Sequence, residues 1–285
     1  MEEDDIMIGA IIGDLIGAKY EFKDKVENIE FESENNRLTD DSIMTVAIAD
    51  ALSKHYPFDY TQEKINLFQK DLIKIMKDYY KKYPNCGYGN YFKKWLSNEV
   101  KQEPYNSYGN GAAMRISPVG WISKSVEEVK ALSKTVTEIT HNHSEGLKGA
   151  EAIAMCIFLA RKGKSKEEIR KVMIKEYYPE IEYMSILSNK ENNVTCQVTC
   201  PQAIYCFLIA SSYEDTIKKA ISIGKDTDTL ACMATSIAEA YYFNDKISEF
   251  EKKIVGQYVP IDLLKPIEKI YLYSNSKKNI TSLLK

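Results

Sequence analysis

Histidine is scarce in this chain: three residues in 285, too few for a histidine-rich zinc centre. The six cysteines, at 86, 156, 196, 200, 206 and 232, contain no C-x-x-C pair. That excludes zinc-ribbon and thioredoxin-type chemistry. Six is also too sparse for a disulfide scaffold, so a reducing cytoplasm is the expected compartment. No stretch of some 18 uninterrupted apolar residues occurs. The apolar run from Ile6 to Ala18 is broken by Asp14 and is too short to span a bilayer. Its acidic start, Met1 to Asp5, is the opposite of the basic start of a secretory signal. An excess of positive charge is missing too. Lys+Arg 38 against Asp+Glu 41 leaves a net charge of −3 and a pI near 5.8, without the basic footprint of a nucleic-acid binder. Neither a Walker A sequence nor G-x-G-x-x-G is present, and no repeat runs at a solenoid period.

What remains is a chain with 44% hydrophobic and 28% charged residues, ordinary for a globular protein with a sizeable core. The apolar spacing is helical nearly throughout. Val126, Val129, Leu132, Val136 and Ile139 follow steps of three and four, as do Ile65, Phe68, Leu72, Ile75 and Met76. Leu147 to Phe158 and Ile217 to Ile221 give further stripes. Ser125 with Glu128, and Ser165 with Glu168, spell capping boxes. No series of alternating strands is evident, so the expected fold class is all-α: packed helices over residues 1–285 as one domain. The breaks fall at Pro57, Pro84 to Gly89, Pro104 to Gly111, Pro118, Pro179 and Pro201. The polar segment Asn189 to Asn193 is expected to be a loop, and the tail from about 245 to add a helix or two over the core. Gly9, Gly13 and Gly17 fall on one helical face, a device for close helix packing. Cys156 and Cys232 read as small core residues.

Two acidic clusters each precede an apolar helical pattern: Thr39-Asp40-Asp41-Ser42, and Asp226-Thr227-Asp228-Thr229 after Gly224-Lys225. One reading is N-capping, since Asp and Thr accept orphan backbone N–H bonds at helix starts. The other is a cation site. Four carboxylates brought together repel unless cations lie between them, and oxygen-only ligands select Mg²⁺, Mn²⁺ or Ca²⁺. Ser107-Tyr108-Gly109-Asn110-Gly111-Ala112-Ala113-Met114-Arg115 is either a tight turn before a helix or a cradle for an anion. In the second case the glycines permit left-handed backbone and the helix beginning at the alanines favours phosphate. His141 and His143 form an H-x-H pair without a third ligand nearby. A polar loop, or one histidine as a hydrogen-bonding or stacking group, are the two readings. Tyr79, Tyr80, Tyr83, Tyr88, Tyr91 and Trp95 serve packing, or form a rim that stacks on a ligand.

Read together, these segments resemble the ADP-ribosylglycohydrolase family. The pieces run in order: Gly9 to Gly17 with Tyr20-Glu21, Thr39 to Ser42, Tyr108 to Arg115, Thr140-His141, and Asp226 to Thr229, within a motif-bearing core of about 8–243. The resemblance implies a compact orthogonal helical bundle that hydrolyses the bond between C1″ of ADP-ribose and an acceptor, at a centre of two Mg²⁺ ions, or Mn²⁺ in their place. The implied metal ligands are Thr39, Asp40, Asp41, Asp226, Asp228 and Thr229. Glu21 or Asp41 is the implied catalytic carboxylate. Ser107, Tyr108, Gly109, Asn110, Gly111, Met114 and His141 are the implied substrate-binding residues. The implied partners are ADP-ribose or an ADP-ribosylated protein or small molecule, with nucleic acid only as a modified substrate and no membrane. The alternative is a catalytically weak ADP-ribose- or nucleotide-binding protein on the same scaffold. Two departures stand out: Lys225 occupies a usual glycine position before the second acidic motif, and Ala234-Thr235 replaces a usual helix glycine. The acceptor and the oligomeric state carry no signature.

Overall fold

A computed structural model describes residues 7–182, 184–188, 194–242 and 249–275. Among these residues the regular elements are helices, with one isolated antiparallel bridge between Gly109 and Thr195. In chain order they are α1 (Gly9–Gly17), α2 (Asp40–His55), α3 (Gln62–Lys82), α4 (Asn90–Leu96), α5 (Ser117–Ile122), α6 (Val126–Thr137), α7 (Ser144–Arg161), α8 (Lys166–Glu176), α9 (Cys196–Ile209), α10 (Tyr213–Ser222), α11 (Thr227–Tyr242), α12 (Glu249–Tyr258) and α13 (Ile261–Asn275). The all-α expectation therefore holds. None of these helices is long and apolar enough to cross a membrane.

α11 is the central pillar, packed by α1, α7, α9 and α10. α1 runs antiparallel along it, and every residue of α1 is buried. The three glycines explain how. A Cβ at Gly9 would stand 2.8 Å from the Thr235 carbonyl oxygen, and one at Gly17 only 2.5 Å from that of Thr227. Any side chain on this face would push the two backbones apart. Both ends are also tied: Glu239 Oε1 accepts the Ile8 N–H at 2.7 Å, and the Thr227 hydroxyl donates to the Gly17 carbonyl at 2.9 Å. These bonds satisfy orphan groups at the helix ends. α2 lies against α3, α5 and α13. The result brings the N-termini of α2 and α11 to the same end of α1.

Several local expectations need correction. No α-helix begins at Ala112 to Met114. The chain makes a 3₁₀ turn over Asn110–Ala112, whose Asn110 carbonyl accepts from both Ala113 and Met114, and α5 starts at Ser117 with Pro118 in its first turn. Neither Gly109 nor Gly111 is left-handed. The Ser125 box is half formed: its hydroxyl accepts from Glu128 N, but the Glu128 carboxylate takes the Lys124 N–H instead. Ser165 and Glu168 make the full reciprocal pair. Pro201 does not end an element but sits inside α9, near the start, where few intrahelical donors are lost. The tail supplies α12 and α13, burying Ile254, Val259, Leu263, Ile267 and Ile270. Segment 189–193 lies outside the described residues.

Candidate active site

The N-termini of α2 and α11 converge on a cleft of about 380 Å³. Thr39, Asp40, Asp41, Asp226, Asp228 and Thr229 all line it, as does Glu21 from the loop after α1. Ser107, Gly109, Asn110, Gly111, Met114 and His141 line the same cleft. Tyr108 lies off the wall, with its ring 5.2 Å from that of His143. His143 itself caps α7, accepting from Glu145 N through Nδ1. Of the aromatic stretch, Tyr91 reaches the cleft, where its ring meets Tyr105 at 4.5 Å. Tyr88 and Trp95 are core residues.

The acidic end is built around a residue whose role the sequence reading missed. Asp14, fully buried on α1, accepts from Thr39 N at 3.0 Å, Thr39 Oγ1 at 2.7 Å, Ser42 N at 3.1 Å, and the Ser42 hydroxyl. It thus pins the first turn of α2 and aims Asp40 and Asp41 into the cleft. Its signal was present: a carboxylate inside a wholly apolar helix is rarely buried without a purpose. The second motif is fixed similarly. Thr229 N donates to Asp228 Oδ1 at 2.9 Å, the Thr229 hydroxyl reaches Asp41 Oδ2 at 3.4 Å, and Asn110 Nδ2 donates to Asp226.

Electrostatically this end is heavily strained. Burial first, and the charge of Asp228 next, push Asp14 to about 7 and Asp40 to about 8. The same two causes raise Asp41 and Asp226 well above the usual carboxylate range. Burial also raises Asp228, and Glu21 is pushed to about 7 by burial and by Asp228. One oxygen each from Glu21, Asp226 and Asp228 lie within 4.8 Å of one another, and Asp41 Oδ1 is buried with no hydrogen-bond partner among the described residues. An all-oxygen donor set with an orphaned carboxylate atom fits a hard divalent cation, which would relieve the mutual repulsion.

Three further residues were not singled out by sequence. Arg37 stands 3.5 Å from Glu21 Oε2. Arg115, buried in the cleft wall, lies over the Phe92 ring at 5.1 Å and leaves Nε and Nη1 without partners. Tyr105 lines the cleft as well. Lys225 does not intrude. Its ammonium pairs with Asp24, while its backbone accepts from Phe22 N at 2.7 Å and holds the loop that follows Glu21. Lys225 has φ 64 and Gly224 φ 83, both left-handed, and a Cβ on Gly224 would collide with the Asp24 carbonyl.

Comparison with known proteins bears on this geometry. The family model described as ADP-ribosylglycohydrolase matches residues 5–258. The chain is 29% identical to the ADP-ribosylhydrolase ARH3 of Mus musculus, covering 90% of this chain and 88% of that protein. It is 23% identical to the ADP-ribosylarginine hydrolase Tri1 of Pseudomonas putida, over 83% of this chain and 69% of that one. Among solved structures, an ADP-ribosylglycohydrolase-related protein complex shares the fold at a TM-score of 0.73 and 19% identity, covering 94% of this chain and 96% of that chain.

Proposed function

This chain belongs to the ADP-ribosylglycohydrolase family of enzymes, and from that premise we propose that it hydrolyses the bond joining C1″ of ADP-ribose to an acceptor on a protein or small molecule. The observation that carries the reading is the meeting of the two acidic helix starts, with an Asp41 oxygen that has no partner among the described residues, beside the Gly109–Gly111 turn in one cleft. Thr39, Asp40, Asp41, Asp226, Asp228 and Thr229 would hold a pair of Mg²⁺ or Mn²⁺ ions. When bound, such ions supply Lewis acidity that orients ribose hydroxyls and acidifies a water.

The chain's own residues do the rest. The Gly109–Gly111 turn and Ser107 receive the diphosphate and ribose, and fix C1″ over the acidic end. Glu21, half-buried at the cleft edge, takes a proton from the attacking water. Asp41 is less suited to that, since it is buried and stands among the residues that would hold the ions. Water oxygen bonds to C1″, the C1″–acceptor bond breaks with its electron pair on the acceptor, and the acceptor leaves with the proton that Glu21 took from the water. This differs from the paired-carboxylate glycosidases, which need no metal.

The direct test is release of ADP-ribose from arginine- and serine-linked ADP-ribosyl peptides, with Mg²⁺ or with EDTA, using Asp228→Asn as the blank. Release that requires both the ion and Asp228 supports the reading. Tight ADP-ribose binding without release from arginine, serine or nucleobase conjugates would replace it with a binding-only role.

A further inference from the structure

His141 carries one free nitrogen into the cleft, and its neighbours determine what that nitrogen offers. Arg115 Nη2 donates to Thr140 Oγ1 at 2.8 Å. A guanidinium cannot accept, so the direction of this bond is fixed. Thr140 Oγ1 lies 2.8 Å from His141 Nδ1. Among the described residues the Thr140 hydroxyl has no other acceptor within hydrogen-bond reach, so its single hydrogen points at Nδ1. Nδ1 is then the acceptor, and the ring hydrogen of a neutral imidazole resides on Nε2. Burial, and then the charge of Arg115, hold the His141 pKa well below the usual histidine value. The ring is therefore neutral at physiological pH.

The free side of Nε2 is kept open. A Cβ on Gly111 would stand 3.4 Å from Nε2, and one on Gly109 3.8 Å. A methyl at either position would crowd the approach of a ligand atom. Both glycines have unexceptional φ, so a side chain at either would be tolerated by the backbone and would sit in contact with this nitrogen.

We propose that Arg115 and Thr140 are positioning residues that lock His141 as an Nε2–H donor, aimed across the Gly109–Gly111 turn at an oxygen acceptor of the ligand. This deepens the hydrolase reading and rests on it for the identity of the ligand, whose phosphoryl oxygens are acceptors without hydrogens. A donor fixed in this way keeps its direction across the pH range in which an ordinary histidine would charge.

The experiment is ¹⁵N NMR of histidine-labelled full-length protein, without substrate, with His141→Asn to assign the signal. The expected spectrum shows hydrogen on Nε2 and a bare Nδ1, unchanged from about pH 5 to pH 8. Thr140→Val, close in shape, should yield a mixture of tautomers and weaken ADP-ribose binding about tenfold, the size of one hydrogen bond. Thr140→Ser should restore both, which separates loss of the relay from a folding defect. Gly111→Ala should weaken binding while leaving the tautomer intact. A hydrogen on Nδ1 in the unsubstituted protein, a charged ring in that range, or an unchanged tautomer in Thr140→Val would overturn the proposal. Because the spectra need no turnover, they stand or fall separately from the ADP-ribose release assay.

Discussion

Gly13→Ala offers a case in which two physical effects have opposite signs and the structure decides between them. Helix propensity favours alanine over glycine by about 1 kcal/mol in a helix interior. Against this, a Cβ at Gly13 would stand 2.5 Å from Ala231 C and 2.8 Å from Cys232 N, where ordinary contact begins at 3.4 Å. These are backbone atoms of α11 and cannot rotate aside. α1 would have to retreat by about 1 Å from a close-packed partner, and contact with rigid backbone puts the penalty in the upper part of the overpacking range, about 2–3 kcal/mol. The net expectation is a loss of about 1–2 kcal/mol. The same substitution at Gly256, on the exposed face of α12 with nothing within 4 Å of its Cβ position, should leave stability unchanged or raise it by about 0.5 kcal/mol. Urea unfolding of both variants beside the parent measures the pair. Because α1 also carries Asp14, Gly13→Ala should reduce ADP-ribose release even where the protein remains folded, whereas Gly256→Ala should not. A Gly13→Ala protein as stable as the parent would refute the close-packing argument.

Asp14→Asn should leave the protein folded, since it removes one of several repelling carboxylates, yet lower divalent-ion affinity about tenfold to a hundredfold by releasing the first turn of α2; calorimetric titration with Mn²⁺ reads this. Glu239, buried against the start of α1 with Glu251 nearby, is pushed from about 4.5 to about 8 by burial. The folded state then holds the extra proton, so its contribution to stability is full below about pH 4.5 and is lost as the pH rises through about 8. Glu239→Gln should flatten that part of the pH profile of the urea midpoint, and an unaltered slope would assign the dependence to other groups. Lys225→Gly should change Mn²⁺ affinity less than about twofold, because the ammonium is already engaged by Asp24 and exposed charges are screened; a large gain would place that charge in the acidic field.

The helical class was readable because period-3.6 stripes such as Ile65 to Met76 and Val126 to Ile139 are a one-dimensional record of a single buried face. The Gly9, Gly13 and Gly17 row was equally plain, since four-residue spacing alone places it on one side. α7 and α11 are buried nearly all round, yet the Leu147 to Phe158 stripe marked the first and the Asp226 motif marked the start of the second. What escaped was whatever depends on a partner distant in sequence. Asp14 meets Thr39 and Ser42 only after α1 docks, so in the sequence it looks like an interruption. Arg115, Thr140 and His141 become a chain of hydrogen bonds only when the turn after α6 folds beside the cleft. Gly109 and Gly111 suggested left-handed backbone because that is the common reason for such a pair, whereas here neither has a positive φ and both lie against His141 from a distant part of the chain. The pairing of Lys225 with Asp24 likewise needs the loop after Glu21 to fold back on α11.

The central claim is that the acidic end of the cleft is a divalent-cation site serving the hydrolytic reaction. Anomalous diffraction from crystals soaked in Mn²⁺ tests it most directly. The account predicts density between the α2 and α11 helix starts, with one ion bonded to the partnerless Asp41 oxygen and to Asp228, and its loss in Asp228→Asn. Fully soaked crystals of catalytically active protein with no ion between Asp41 and Asp228 would contradict it.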